Sequence, residues 1–477
     1  MYFLYVFIIL LIWYLWTRNL KKYADLNQIP GPSWLELIKF NLLNLDNEHV
    51  YKYILSLPQK YGPVVKLWLK PFRPSVFVTD AKWFEEVYGS KEHLQKPMMY
   101  KLLHGLAGNG LTTNLDLTQW KHDRKYFNNV FSLKHITSYS GKFIRHAEKL
   151  RKDLESYENK PVDVHLILKR CTLFIILDYL SQENINEEIA TDLINAVDGH
   201  FELFLSRAFS LYKSNDFLFQ FTEDYKKYQQ YTNTLNEIVT NIYHNEVRLR
   251  RENANKSSNK QFMDLILESE LPPESIINQM KTFIVAGYDT TAITASFVLF
   301  EITKRPDIQE RILNECLFME ESKHENSTTY IDLQSLTYTE AVIKETMRIY
   351  PAVPLIGRNL TAPLTINGLT LPADTDLLFS LQSLHEMNFP NPKEFNPDRF
   401  LQENLHDIPQ NIYAPFSYGQ RDCIGRKIAM VEMKFIISFI IKHFTLHPVQ
   451  PEHKLEIAGE FALRSKNGII IKLKKRI

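Results

Sequence analysis

Cysteine is scarce in this chain. Its 477 residues hold three, Cys171, Cys316 and Cys423, too few and too scattered for a disulfide framework or a zinc ribbon. That scarcity suits a reducing, cytosol-facing setting. Charge of one sign is missing too: 56 lysines and arginines face 55 aspartates and glutamates, a formal net charge of +1. A protein that grips a nucleic-acid backbone ordinarily carries a strong basic excess, so nucleic acid is not the expected partner, although local basic patches stay open. No repeat of fixed period and no long low-complexity tract occurs, and the bulk reads as globular. The amino terminus has neither a basic leader nor a small-x-small cleavage site, which argues against a cleaved signal peptide.

Apolar and aromatic residues are plentiful: 45% of the chain is hydrophobic and 13% aromatic, with 22 prolines. That composition allows a large core with room for a flat cofactor. Residues 1–18 begin with the uncharged run Tyr2 to Trp16 and end at Arg18. As a helix with its flanks this run spans about 25–30 Å, enough for a retained membrane anchor. Trp13, Tyr14 and Trp16 suit the interface, and Arg18, Lys21 and Lys22 the cytoplasmic side. Residues 19–34 form a basic hinge stiffened by Ile29-Pro30-Gly31-Pro32, because each proline fixes its own dihedral and restricts its predecessor. The catalytic body is expected over 35–477 as a single domain.

Within the body, Val64–Leu69 and Ser75–Thr79 alternate as a hairpin. Trp120 and Arg124 fall at i and i+4 on one helix face. Phe201 to Phe221 is dense in phenylalanine, more often core than ligand site, and Arg248 to Lys260 reads as an exposed loop. The longest helix follows Pro272 and Pro273 and can run to Lys304, roughly 45 Å of chain. Its middle, Phe283-Ile284-Val285-Ala286-Gly287-Tyr288-Asp289-Thr290-Thr291, is apolar all round until an acid and two threonines appear. A hydroxyl near Gly287 can take over a backbone carbonyl and open the helix locally. Glu345 and Arg348, at i and i+3, can pair. Pro351 to Arg358 is extended, and Thr365–Thr370 and Lys466–Ile469 carry hairpin turns.

Phe416-Ser417-Tyr418-Gly419-Gln420-Arg421-Asp422-Cys423-Ile424-Gly425 then holds one cysteine just ahead of an apolar helix. Gly419 and Gly425 allow close approach and unusual dihedrals, Arg421 brings fixed positive charge, and the following helix N-terminus favours a thiolate at Cys423. Such a thiolate could ligate haem iron, with Arg421 on a propionate and Phe416 beneath the ring. The bland alternative is a structural cysteine in a glycine turn.

At this loop the chain resembles the cytochrome P-450 family of haem-thiolate monooxygenases, matching Phe-x-x-Gly-x-Arg-x-Cys-x-Gly at every fixed position. The resemblance covers essentially the whole chain, with the motifs in order. It implies a mainly α fold with small β-sheets, haem b lying between the long helix and the Cys423 loop, and an N-terminal anchor. It makes Cys423 the metal ligand and places Trp120, Arg124, Ala286, Gly287, Arg358, Phe416, Gly419, Arg421 and Gly425 against the cofactor. Thr290 and Asp289 would then serve oxygen activation and proton relay, and Glu345, Arg348 and Arg399 a buried structural network.

Pro354–Arg358 and Cys423-Ile424-Gly425 with Ala429 and Glu432 look most like the animal fourth family, which includes fatty-acid omega-hydroxylases and many insect enzymes. Some of its members esterify the haem through a glutamate where this chain has Ala286, so the haem is expected to be non-covalent. Leu384–Pro390 looks shorter than the family's usual loop, with no expected effect on the chemistry. The resemblance further implies a microsomal enzyme of the endoplasmic reticulum membrane with a cytosolic body. Electrons would come from NADPH through a cytochrome P-450 reductase, with a b-type cytochrome as a second donor. The reductase would dock on a basic face made by Lys121, Lys125, Arg426, Lys427 and Lys434, residues that equally read as a merely solvated charged surface. The expected substrate is lipophilic, a fatty acid or a xenobiotic. A haem-thiolate isomerase or dehydratase that needs no O2, and a non-catalytic membrane haem carrier or sensor, are the competing readings.

Overall fold

The computed structural model describes residues 14, 23–33, 35, 36, 39, 47–70, 73–139, 141–181, 185–210, 212–252, 262–322, 329–409 and 411–476. The expected anchor, residues 1–18, lies outside them apart from Tyr14, as does most of the expected loop Arg248–Lys260.

The body opens with α1 (Asn47–Tyr61), which packs on β1 (Val64–Lys70), and β1 turns back antiparallel into β2 (Arg73–Val78). Next comes α2 (Leu117–Val130), capped by Asp116, whose carboxylate accepts from the N–H groups of Thr118 and Gln119. β3 (Pro161–Asp163) leads into α3 (Val164–Leu180), followed by α4 (Glu187–Ala208) and α5 (Glu223–Glu252). Arg248, Arg250 and Arg251 therefore end a helix where a loop was expected. Arg250 is paired with Glu246 one turn back and with Asp264 at 2.5 Å, and these ion pairs extend the helix past its apolar stripe.

α6 (Pro273–Ile302) is the axle of the body. Pro273 stands at its first turn, where a missing N–H costs nothing. It is buried on nearly every face and packs on α3 and on two later helices, α7 (Thr337–Ile349) and α9 (Arg426–His443). Among the described residues it is the one helix long and apolar enough to cross a membrane, yet it is buried inside the protein. Its hydroxyls bond back to carbonyls one turn earlier: Thr282 to Asn278 (2.9 Å), Thr290 to Ala286 (2.8 Å), Thr291 to Gly287 (3.0 Å) and Thr294 to Thr290 (3.0 Å). These bonds supplement the helical ladder without replacing it, so the helix is continuous and the expected opening near Gly287 is not observed.

The remaining strands are β4 (Leu355–Asn359), β5 (Leu364–Ile366), β6 (Leu369–Leu371), β7 (Asp376–Ser380), β8 (Phe444–His447), β9 (Ile457–Gly459), β10 (Leu463–Ser465) and β11 (Ile470–Lys475). A four-stranded sheet runs β1-β2-β7-β4, and β2 and β7 pair in parallel from Ser75↔Asp376 to Val78↔Phe379. The proline hinge docks on this sheet: Lys66 N–H donates to the Pro30 carbonyl (2.8 Å), and Gly31 lies too close to the Lys66 carbonyl for any Cβ. Asn367 and Gly368 turn β5 into β6 with φ of 51° and 80°, the left-handed pair of a type I′ hairpin. Lys466–Ile469 differs from expectation. It joins β10, paired with β9, to β11, which lies between β3 and β8, so this turn links two sheets and closes no hairpin.

Candidate functional site

A cavity open to solvent at its mouth sits between α6 and the loop that precedes α9. Ala286, Gly287, Thr290 and Thr291 line it from α6, and Phe416, Arg421, Cys423 and Gly425 line it from the loop. The loop's shape follows from its residues. Cys423 N–H donates to the Phe416 carbonyl (2.8 Å), closing a tight turn through Ser417 (φ 63°) and Gly419 (φ 76°). At Gly419 a side chain would collide with the Tyr88 carbonyl. Gly425 is different from expectation, with an ordinary φ of −82°. A Cβ there would meet Cys423 Sγ at 3.8 Å, so what its absence leaves free is cavity space beside the sulfur.

Cys171 and Cys316 are buried, whereas Cys423 is open to the cavity. Burial of the loop pushes the Cys423 thiol above its ordinary value, with the Gly425 N–H opposing. The protein alone therefore does not hold a thiolate, and a bound metal cation would have to supply that charge.

At one end of the cavity stand three cations. Arg421 is buried, stacks on the Trp120 ring at 3.9 Å and leaves its Nε without a partner; burial, then the charge of Arg358, brings it down to about 9. Lys96 lines the cavity and is pushed well below its ordinary value by burial, then by Arg358 and Arg421. Arg358 is fully buried over the Tyr88 ring (4.1 Å), is not among the residues facing the cavity, and has an unpartnered Nε. Among the described residues no carboxylate pairs with any of the three. Clustered cations without an anion are costly, and a ligand carrying carboxylates would relieve them. Haem, a flat apolar ring with two propionates and an iron seeking a soft ligand, fits this donor set.

Several expected residues are placed otherwise. Arg124 lines the cavity as expected, but its guanidinium is also engaged within the protein, donating to Asp422 Oδ1 (2.6 Å), the Asp422 carbonyl (2.7 Å) and Asn128 (2.9 Å), so it ties α2 to the cysteine loop. Asp289 does not face the cavity. It is fully buried behind α6 against Lys169 (3.4 Å) and Arg464 (3.3 Å), which hold its carboxyl below the ordinary value against the opposing effect of burial. Lys434 is not on a basic face: it is buried and paired with Glu340 at 2.5 Å. Lys121, Lys125, Arg426 and Lys427 are exposed. Glu345 and Arg348 form a buried two-pronged pair (2.7 and 2.9 Å), and Arg399 Nε lies 3.5 Å from the same carboxylate.

Sequence reasoning missed Lys96, which reads as an ordinary surface lysine. It used Glu432 only as a family mark, although that residue lines the cavity buried, with an unpartnered Oε1, and burial holds it well above the carboxylate range. His385 was also passed over. Leu384–Asn388 is the end of a helix, α8 (Leu381–Asn388), and His385 bridges two parts of the site's frame. With Nδ1 donating to the Arg348 carbonyl (3.0 Å), Nε2 accepts the Ala414 N–H (3.2 Å) at the root of the cysteine loop. Only the neutral ring can do both, and burial brings its pKa down to about 4.

The unfolded chain protonates such a ring near 6.5, the folded chain not until about 4. Stability is therefore undiminished above pH 6.5 and falls as pH drops from 6.5 toward 4, by on the order of 2–3 kcal/mol from this ring. Urea midpoints at pH 7.5, 5.5 and 4.5 should show the decline, and His385→Gln should flatten it. An equal slope in the variant would assign the decline to other groups.

The family model that matches this chain is Cytochrome P450, over residues 29–472. The chain belongs to the cytochrome P450 family. Among its relatives, Cytochrome P450 4d2 of Drosophila melanogaster is 30% identical, with 99% of this chain and 98% of the relative covered. Cytochrome P450 4V2 of Homo sapiens is 30% identical over 91% and 87%, and Cytochrome P450 4c3 of Drosophila melanogaster 27% identical over 96% and 91%. The P450 is thus of the fourth-family type, a haem-dependent monooxygenase with the mainly helical fold expected of it.

Proposed function

We propose that Cys423 is the thiolate ligand of a non-covalent haem, and that the enzyme inserts one atom of O2 into a lipophilic substrate using electrons passed from NADPH by a reductase. The observation that carries this is the cation cluster Lys96, Arg358 and Arg421 beside the cavity onto which Cys423 opens. The haem supplies the one-electron and oxygen chemistry. Arg421, held flat on Trp120, and Lys96 would hold its propionates, while Arg124 braces the loop. Ala286 has no carboxyl with which to esterify the ring.

Thr290 commits its proton to the Ala286 carbonyl and so turns oxygen lone pairs toward the cavity, ready to accept and pass on a proton. Asp289 refills that relay only by turning from Lys169 and Arg464. Phe217 and Phe221, 65% and 76% exposed with ring centroids 5.3 Å apart, support lipid contact. With residues 1–18 as anchor, this fits a body on the cytosolic face of the endoplasmic reticulum. The exposed Lys121, Lys125, Arg426 and Lys427 suit an acidic reductase or b-type cytochrome.

The test is reconstitution with reductase and NADPH across lipid and xenobiotic panels. Wild type should couple NADPH consumption to hydroxylated product. Thr290→Ala should keep consuming NADPH while product per NADPH falls on the order of tenfold or more. A wild-type enzyme that isomerises substrate without O2, or a variant with unchanged coupling, would count against the reading.

A further inference from the structure

A smaller pocket adjoins the main cavity and shares Tyr100, Ile356 and Phe461 with it. Its wall is mostly apolar, from residues such as Phe77, Phe204 and Leu378, and besides the phenol of Tyr100 it carries one carboxyl, Glu460. Glu460 stands on the turn between β9 and β10, where its N–H donates to the Ala462 carbonyl (3.0 Å). The next residue pins that turn against α4: the Phe461 ring stacks on Phe201 (5.3 Å) and meets Phe204 edge-on (5.6 Å).

The carboxyl is left over from an unbalanced cluster. Behind it, Lys169 and Arg464 face three acids. Arg464 Nη2 is shared by Asp198 (2.7 Å) and Asp289 (3.3 Å), and Lys169 also serves Asp198 (2.5 Å). Glu460 Oε2 has only Arg464 Nε at 3.5 Å and, sealed from solvent, makes no hydrogen bond. Oε2 is therefore turned to Arg464, and it is as part of the pocket wall that the carboxyl can meet a ligand's donor.

We propose that Glu460 receives the hydroxyl group of an apolar substrate and selects such an alcohol over the corresponding carboxylate. The proposal rests on the monooxygenase reading, since it names the substrate class for that cavity. Burial, together with Asp198, Asp289 and Glu202 and against Arg464, pushes Glu460 up to about 7. An alcohol can donate to it in either protonation state. A carboxylate is tolerated only below that pH, where Glu460 is protonated and can donate, and is repelled above it.

The experiment is equilibrium dialysis of the full-length holoenzyme with labelled 1-decanol, decanoate and decane at pH 6 and pH 8. Haem loading is read separately from the reduced carbon-monoxide spectrum, so failure of the haem-thiolate reading is seen independently. Wild type should bind decanol about tenfold more tightly than decane, the worth of one hydrogen bond. It should lose decanoate affinity between pH 6 and 8 while holding decanol. Glu460→Leu should remove the decanol advantage and leave decane unchanged. Glu460→Gln, which keeps a neutral acceptor, should retain decanol and make decanoate binding independent of pH. Unchanged decanol affinity in Glu460→Leu would overturn the proposal. So would an equal loss for all three probes in both variants, the mark of a purely structural residue.

Discussion

Cys423→Ser enzyme, loaded with haem and reduced under carbon monoxide, should lack the red-shifted Soret band of the wild type, and its hydroxylation should fall by ~10³-fold or more, about 4 kcal/mol of barrier. Serine is nearly the size of cysteine, and the bond that shapes the loop runs from the residue's backbone N–H to Phe416, so it survives the change. Arg421 and Lys96 are untouched, and haem should still bind. What is lost is a soft anionic ligand able to push electron density toward the iron. Burial of the loop raises the thiol above its ordinary value, so the thiolate would depend on the metal it binds, and a hydroxyl, far less acidic, cannot follow it. A wild-type protein that is folded and haem-loaded yet shows no such band would sink the ligand assignment.

Arg348→Ala should destabilise the fold by about 3–5 kcal/mol, a large part of the ~5–15 kcal/mol that separates folded from unfolded chains. The guanidinium grips Glu345 with two prongs and also donates to the carbonyls of Pro392 (2.8 Å) and Glu394 (3.0 Å). Removing it leaves a fully buried carboxylate with only the Asn396 N–H (2.8 Å) and the more distant Arg399 (3.5 Å), and frees two carbonyls at once. The segment so held runs toward the cysteine loop, so the variant should also be recovered with less haem. Arg399→Ala is the internal control. Its Nε is 3.5 Å from Glu345 and it bonds the Asn391 carbonyl nearer the surface, so it should cost much less. Urea unfolding of both variants decides the matter, and a loss below ~1 kcal/mol for Arg348→Ala would mean that the pair does not hold this region.

What could be read from the sequence was whatever depends on near neighbours in the chain. The cysteine loop was legible because its glycines, arginine and cysteine act within ten residues. Glu345 and Arg348 were legible because one helical turn brings them together, and α6 because its apolar run is long and proline-started. What failed depends on which distant side chain fills the space opposite. Helical spacing could not say that Lys434 would find Glu340, that Asp289 would turn to Lys169 and Arg464, or that Arg124, while lining the cavity, would also bind Asp422. Lys96 and Glu460 carry no local signal at all, since each becomes unusual only when other elements bury it. Lys466–Ile469 misled for a related reason: Asn-Gly reports a turn, not whether the strands on either side share a sheet.

The parallel pairing of β2 with β7 bears on how the enzyme is made. Ser75 leaves the ribosome long before Asp376, its neighbour in the sheet, so the amino-terminal hairpin must wait with one edge uncovered while most of the body is synthesised. The cofactor's seat has the same calendar. Lys96 and Trp120 are translated early, Arg358, Arg421 and Cys423 near the end, so if these residues hold the haem as proposed, the seat is complete only when synthesis is almost over. On the proposed haem reading, cofactor capture would then follow synthesis of nearly the whole chain, and a chain truncated before Asp376 would leave translation with both an open sheet edge and an unfinished cradle.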